Sequence, residues 1–329
     1  MDRNLQIALV ICLFFVMVIG ILPAQFHGKG YDYYFHYAKA KGLPEYTDLE
    51  ANSFPTPLYP PLFHWFASLF SFQEESFYLF SLFFLGLVIP ITLYFLTKHW
   101  VVVLFYFSAT SFFYFSETGM YPQALAIWLM LLMLYFKDWK VRIALLLLGL
   151  LAHSTGFYLL GLTAMLLFLK ESKVLSFLPF FPFACSGYFP KEGSRPNELL
   201  AIEIIPGSAS GRSNALNLGN LTKFCVEIFP LPFALMALHG FWMKKNWHLF
   251  LLFTAGLIGG LFDYRIFFIS AIVGLIGLTD FYKLVISNSA LRWRLAFFAV
   301  TLLYAGFQFF IWFRLKLYCY PLWIVRPIL

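Results

Sequence analysis

Charge is what this chain has least of. Asp, Glu, Lys and Arg make up 12% of its 329 residues, while 61% are hydrophobic and 22% aromatic. Soluble domains carry roughly 25% charged residues. The shortage excludes a sizeable solvated domain and leaves an integral membrane protein, read as a single membrane domain over 1–329. Cysteine is scarce too. Cys12, Cys185, Cys225 and Cys319 show no metal spacing, and three of them sit in or beside apolar runs, where Cys is a small core residue. No A-x-A-like cleavage site follows residues 5–22, so that run is expected to stay as a first span. No internal repeat or low-complexity tract is present. The net charge of +7 is then a topology signal, and nucleic acid is excluded as a partner.

What is abundant is apolar sequence. Runs near 5–23, 77–96, 101–116, 121–136, 141–155, 156–169, 174–188, 224–242, 248–262, 266–281 and 295–313 predict an all-α, polytopic helical bundle of about 11 spans. Several are short for a hydrocarbon core that asks for about 20 residues, which implies displaced boundaries or local thinning. One further run, 61–72, opens with Pro60-Pro61 and carries His64 and Trp65. At about 1.5 Å per residue it reaches only roughly 18 Å, against about 30 Å for a bilayer core. It is expected to lie along the membrane as an interfacial helix, with His64 as a polar tip.

That choice sets the sidedness. With the N-terminus inside, the inner loops hold Arg3, Lys98, Lys137, Lys140, Arg142, Lys170, Lys173, Lys244, Lys245, Lys283, Arg292 and Arg294 against the acids Asp2, Asp138, Glu171 and Asp280. Short inner loops rich in Lys and Arg are what membrane insertion favours. Two long outer segments follow: 24–76, which includes the interfacial helix, and 189–223, whose Gly207-Ser208-Ala209-Ser210-Gly211 suggests a flexible lid or a substrate-ordered loop.

The same topology puts ionisable residues from separate hairpin tips on one face. Asp32 and His36 lie in the first outer loop, Glu117 in a short turn before Tyr121-Pro122, His153 in another turn, and Asp263 with Arg265 at the mouth of a further span. Asp32 and His36 have helical i, i+4 spacing among aromatics. Ionisable groups beside a bilayer are costly and tend to be functional. Each also has a plain structural use: Glu117 as a helix-capping acid, His153 as a packing residue, Arg265 as a partner of Asp263 or of lipid phosphate, and Lys29 as a solvated charge.

The order of these features resembles the GT-C superfamily of membrane glycosyltransferases. Tyr31-Asp32-Tyr33-Tyr34-Phe35-His36 is similar to the aspartate–aromatic–histidine stretch of the oligosaccharyltransferase catalytic subunit. Leu58-Tyr59-Pro60-Pro61-Leu62-Phe63 resembles the segment that opens a juxtamembrane helix in such enzymes, and Glu117 with Tyr121-Pro122 resembles their second acidic site. Leu151-Ala152-His153 and Asp263-Tyr264-Arg265 resemble recurring outer-turn elements. The pattern covers roughly residues 1–280. It departs from the family in having one acid at the second site, no Trp-Trp-Asp signature and no large soluble C-terminal domain. The resemblance therefore points away from transfer to an Asn sequon.

The resemblance implies sugar transfer from a polyprenyl-phosphate donor to a hydroxyl of a glycan, lipid or protein acceptor at the outer face of a prokaryotic plasma membrane. Asp32 is the expected general base, with Glu117 beside it in the catalytic set, and one base displacing directly would invert the anomeric carbon. Arg265, helped by His153 and Lys29, is expected to hold the departing phosphate. His36, Asp263, Tyr121 and His64 are supporting residues. A divalent metal between Asp32 and Glu117 is the alternative use of those two acids. The rival classes are a transporter or flippase of a lipid-linked or anionic solute, an outer-face polysaccharide polymerase or ligase, and a non-catalytic membrane subunit. Transporters place polar groups near the midplane, whereas here the mid-span positions are mainly apolar.

Overall fold

The computed structural model describes residues 2–21, 31–42, 62–113, 121–152, 163–164, 166–167, 221–222, 224–261 and 266–319. Among these residues the chain is helical, with no strand. The helices in chain order are α1 (Arg3–Phe15, running on as a π-helix Val16–Ile21), α2 (Tyr31–Lys41), α3 (Leu62–Ser68), α4 (Glu74–Thr97), α5 (Val101–Ser108), α6 (Tyr121–Tyr135) and α7 (Trp139–Ala152). A π-turn, Phe224–Ile228, precedes α8 (Leu231–Lys244), α9 (Trp247–Gly260), α10 (Phe267–Ile286) and α11 (Leu291–Cys319). The expected spans 156–169 and 174–188 and the loop 189–223 fall mainly or wholly outside the described residues.

Three helices, α4, α10 and the Leu291–Phe310 part of α11, are long and apolar enough to cross a membrane. The other described helices are shorter. The run 101–116 keeps regular α-helix only to Ser108, and the run 224–242 breaks at Pro230. Pro230 stands before α8 because a proline has no N–H to give the preceding turn. In α4 the chain meets Pro90 without stopping. The π-turn Phe84–Val88 immediately before it widens the helix where the ring would otherwise collide.

Local chemistry ends the helices cleanly. Asp2 caps α1 by accepting from the Asn4 backbone N–H at 3.2 Å, and Tyr94 donates its hydroxyl to the other carboxylate oxygen at 2.6 Å. These bonds hold the Asp2 carboxyl below its ordinary range. Glu74 and Glu75 open α4, where acids offset the helix dipole. Lys98 and Lys245 close α4 and α8 in the left-handed region, with φ of 55° and 56°. A side chain there costs roughly 1–2 kcal/mol, offset by capping bonds to Tyr94 and to Phe241 and Trp242 carbonyls.

Small residues let helices touch. A Cβ at Gly240 in α8 would lie 2.0 Å from the Gly277 carbonyl of α10, and one at Gly277 would lie 2.5 Å from the Ala237 carbonyl. Close backbone approach of this kind is how helices associate where lipid removes the hydrophobic drive. Elsewhere aromatic rings fill the core, as in the Phe15–Phe107 stack at 4.6 Å. At the Phe224–Ile228 π-turn, α11 captures loosened carbonyls. Gln308 Nε2 donates to Glu227 O at 2.7 Å and Tyr304 Oη donates to the same atom at 3.2 Å.

The bundle has two chemically distinct ends. At one, Asp2 meets Tyr94, Phe95 meets Tyr135, Lys283 donates to Thr97 O, Asn246 donates to Asp280 and Trp100 stacks on Phe298. This end holds Arg3, Lys98, Lys137, Lys140, Arg142, Lys244, Lys245, Lys283, Arg292 and Arg294. It also holds Trp100, Trp139, Trp242, Trp247 and Trp293, a belt of the kind that marks a membrane–water boundary. At the other end Tyr33 donates to Glu74 O, His36 meets His64, Tyr121 stacks on Phe63 and Phe224 lies on Phe267. The cations grouped from sequence as inner loops are therefore neighbours in space wherever their side chains are described.

Candidate functional site

Helix α2 carries Asp32 in its first turn and His36 one turn later. Their i, i+4 spacing is thus helical. The Asp32 side chain lies outside the described residues, as do Lys29, Glu117, His153, Asp263 and Arg265. The chain entering three of those turns is described. Phe113 and Tyr121 flank the turn of Glu117, Ala152 precedes His153, and Leu261 and Ile266 flank Asp263 and Arg265.

These entries belong to the end opposite the cationic belt but to different depths. Tyr121 sits level with the start of α4, with its ring 6.0 Å from Phe77. Phe113 lies beside Gly86, in the middle of α4, and Phe112 lies 6.0 Å from Phe268 at the start of α10. The α9–α10 turn, with Asp263 and Arg265, therefore starts from about mid-helix depth.

Three supporting residues, His36, His64 and Tyr121, come together. His36 Nδ1 lies 3.0 Å from His64 Nε2, and both residues are buried. The Tyr121 ring is 5.7 Å from that of His36, and Phe63 stacks on Tyr121. His64 is therefore not the exposed polar tip expected from sequence. The turn of α3 that leaves Trp65 exposed points His64 inward. Burial, reinforced by His36 and then Lys39, pushes the His64 imidazole from its ordinary 6.5 down to about 2, so it is neutral.

The pair meets as a hydrogen bond. The centroids are 5.2 Å apart, close to the 3.0 Å nitrogen gap plus two ring radii, so the rings meet almost end on. A tetrahedral metal would need both lone pairs to converge on a point off that line. Among the described residues no group of three or more His, Cys, Asp or Glu is placed to hold a metal ion.

Two features here had little sequence signal. Tyr33, one residue after Asp32, is fully buried, and its hydroxyl donates to Glu74 O at 2.9 Å, tying α2 to the start of α4. The second is an apolar groove of about 630 Å³ between α1, α3, α4 and α6. Cys12, Val16, Phe84 and Trp128 line its depth, and exposed Leu13, Phe66, Leu79 and Phe83 flank its mouth. Phe80, which lines the groove, lies 6.5 Å from Phe63, and Phe63 stacks on Tyr121 of the His36 cluster. Its residues read as ordinary span sequence, because a groove is made by what neighbouring helices leave unfilled.

The class defined by these observations is a helical membrane protein. No family model matches the chain, and searches of curated proteins and of solved structures give no match.

Proposed function

We propose that this chain is a polytopic membrane glycosyltransferase of the GT-C kind, taking a sugar from a polyprenyl-phosphate donor. The observation that carries the reading is the juxtaposition of two parts. Helix α2, which bears Asp32, packs on α3, and a lipid-side apolar groove lies beneath α3 on the far side of Phe63. A lipid-linked donor needs that pairing: a greasy channel for its tail and a polar end for its phosphate and sugar. The cationic belt at the opposite end supports an outward-facing site, because Lys and Arg concentrate on the cytoplasmic side of membrane proteins.

In this reading Asp32 takes the proton of the acceptor hydroxyl as that oxygen attacks the anomeric carbon. The bond to the carrier phosphate breaks and its electron pair leaves with the phosphate. A positioned base supplies roughly 10²–10⁴-fold. Arg265 balances the charge on the departing phosphate, with Lys29 and His153 assisting and Asp263 orienting Arg265. Glu117 completes the acidic set. The His36–His64 pair and Tyr121 hold α2 in place. The acceptor is a hydroxyl on a glycan, lipid or protein.

The test is transfer by purified protein from a panel of polyprenyl-phosphate hexoses and pentoses to acceptor alcohols. Asp32→Asn is expected to lower turnover by at least 100-fold without altering the fold. Full activity in that variant rejects the general-base role, and no transfer from any donor rejects the class.

A further inference from the structure

Two rulers place the π-turn Phe224–Ile228 at half depth in the bundle. Along α11, Phe298 stacks on Trp100 of the cationic end. Gln308, whose Nε2 donates to Glu227 O, lies ten residues further on, roughly 15 Å at helical rise. Along α4, Gly86 lies twelve residues below Glu74, roughly 18 Å, and Phe113 packs beside it. Ser111, two residues before Phe113, donates its backbone N–H to Ile228 O at 3.1 Å. A hydrocarbon core is about 30 Å thick, so both paths end near its middle.

Two properties of the turn conflict with a hydrocarbon setting. Glu227 is ionisable and partly exposed, and such a group is costly at this depth. It is thus an exception to the mainly apolar mid-span positions. The regular helix also breaks here, between the π-turn and the start of α8 after Pro230. Tyr304 and Gln308 satisfy the Glu227 carbonyl from the α11 side. Protein does not cover the rest of the turn, since Cys225 and Glu227 are partly exposed and Val226 is 50% exposed. Irregular backbone at membrane depth persists only where protein buries it or where it lines water.

We propose that water from the outer side enters a recess at the junction of the π-turn, α8 and α11, with Glu227 at its floor. The outer surface of the protein then steps down from the level of Tyr121 to mid-depth. Below the turn, α8 and α10 close on each other at Gly240 and Gly277, so the water comes from the outer side. The chain enters the turn from that side through the exposed Thr222. The α9–α10 turn opens from the same depth, because the Phe224 ring lies 4.8 Å from that of Phe267. A polar acceptor in the recess would therefore reach that turn below the leaflet surface. This consequence rests on the sugar-transfer reading, whereas the recess rests on depth and exposure alone.

The experiment is labelling of the full chain, in spheroplasts of a bacterial host, with a charged, membrane-impermeant maleimide, read by peptide mass spectrometry. Cys225 is a native reporter on the turn, and Val226→Cys is a second. Leu147→Cys is the control, because Leu147 stands eight residues above Trp139 on α7, roughly 12 Å, and is 58% exposed. Cys225 should react from the outside roughly a hundredfold faster than Leu147→Cys, the penalty that a charge meets at the centre of a bilayer. Fast labelling of Val226→Cys supports the recess even where the Cys225 thiol is shielded. If both reporters react as slowly as Leu147→Cys, the proposal is overturned. Labelling that appears only after the cells are permeabilised overturns it as well. Sugar transfer is assayed separately, so either reading can fail while the other stands.

Discussion

Mild acid should loosen the contact between α2 and α3. His36 and His64 meet at 3.0 Å inside an aromatic shell made by Phe63, Tyr121 and their neighbours. In the docked state His64 resists protonation down to about pH 2, while an exposed histidine takes a proton near 6.5. The folded value is depressed, so the contribution to stability is fully present above 6.5. It is lost as pH falls from there toward 2, because only the opened state binds the extra proton.

The slope is about 1.36 kcal/mol per pH unit for one proton. From well above 6.5 down to pH 5 the docked state therefore loses about 2 kcal/mol, which raises the opened population roughly thirtyfold. Hydrogen exchange read by mass spectrometry on peptides covering 31–41 and 62–68, corrected for the intrinsic effect of pH, measures that population. Peptides from α10 act as the internal reference. The double variant His36→Gln, His64→Gln, with no imidazole to protonate, should show a flat profile. Protection of 31–41 and 62–68 that does not change between pH 7 and pH 5 would falsify the account of a neutral His64. An equally steep profile in the double variant would assign the effect to other groups.

Other perturbations follow from the packing. Gly240→Leu drives a side chain into the Gly277 backbone, and the α8–α10 contact should lose about 1–3 kcal/mol, seen as a lower unfolding midpoint. Gly306→Ala on α11, with nothing within 4 Å, should be neutral or slightly stabilising, and a large loss there would contradict the lipid-facing position. Trp128→Phe removes the 3.0 Å bond from Nε1 to Thr92 and should cost about 0.6–1 kcal/mol. Leu79→Trp, at the groove's mouth, should raise the KM for a polyprenyl donor while leaving the unfolding midpoint near wild type. An unchanged KM would remove the groove from the donor site.

Sequence and tertiary structure contributed different things. Composition alone specified a helical membrane protein, because so little charge and so much apolar sequence cannot be solvated any other way. Charge counting also foresaw which loops share an end. Lysines and arginines cluster for a reason local to each loop, and the described ones meet at the belt of Trp100, Trp139, Trp242, Trp247 and Trp293. The i, i+4 relation of Asp32 and His36 was legible as well, since helical spacing is a property of neighbours in the chain.

What lay beyond the sequence depends on how distant helices fit. His64 reads as a polar tip until α3 is rotated onto α2 and Tyr121, which bury it against His36. The groove is what α1, α3, α4 and α6 leave unfilled between them. Residue type decides what each side chain can do. Burial and neighbours, which are properties of the assembled bundle, decide which of them can do it together.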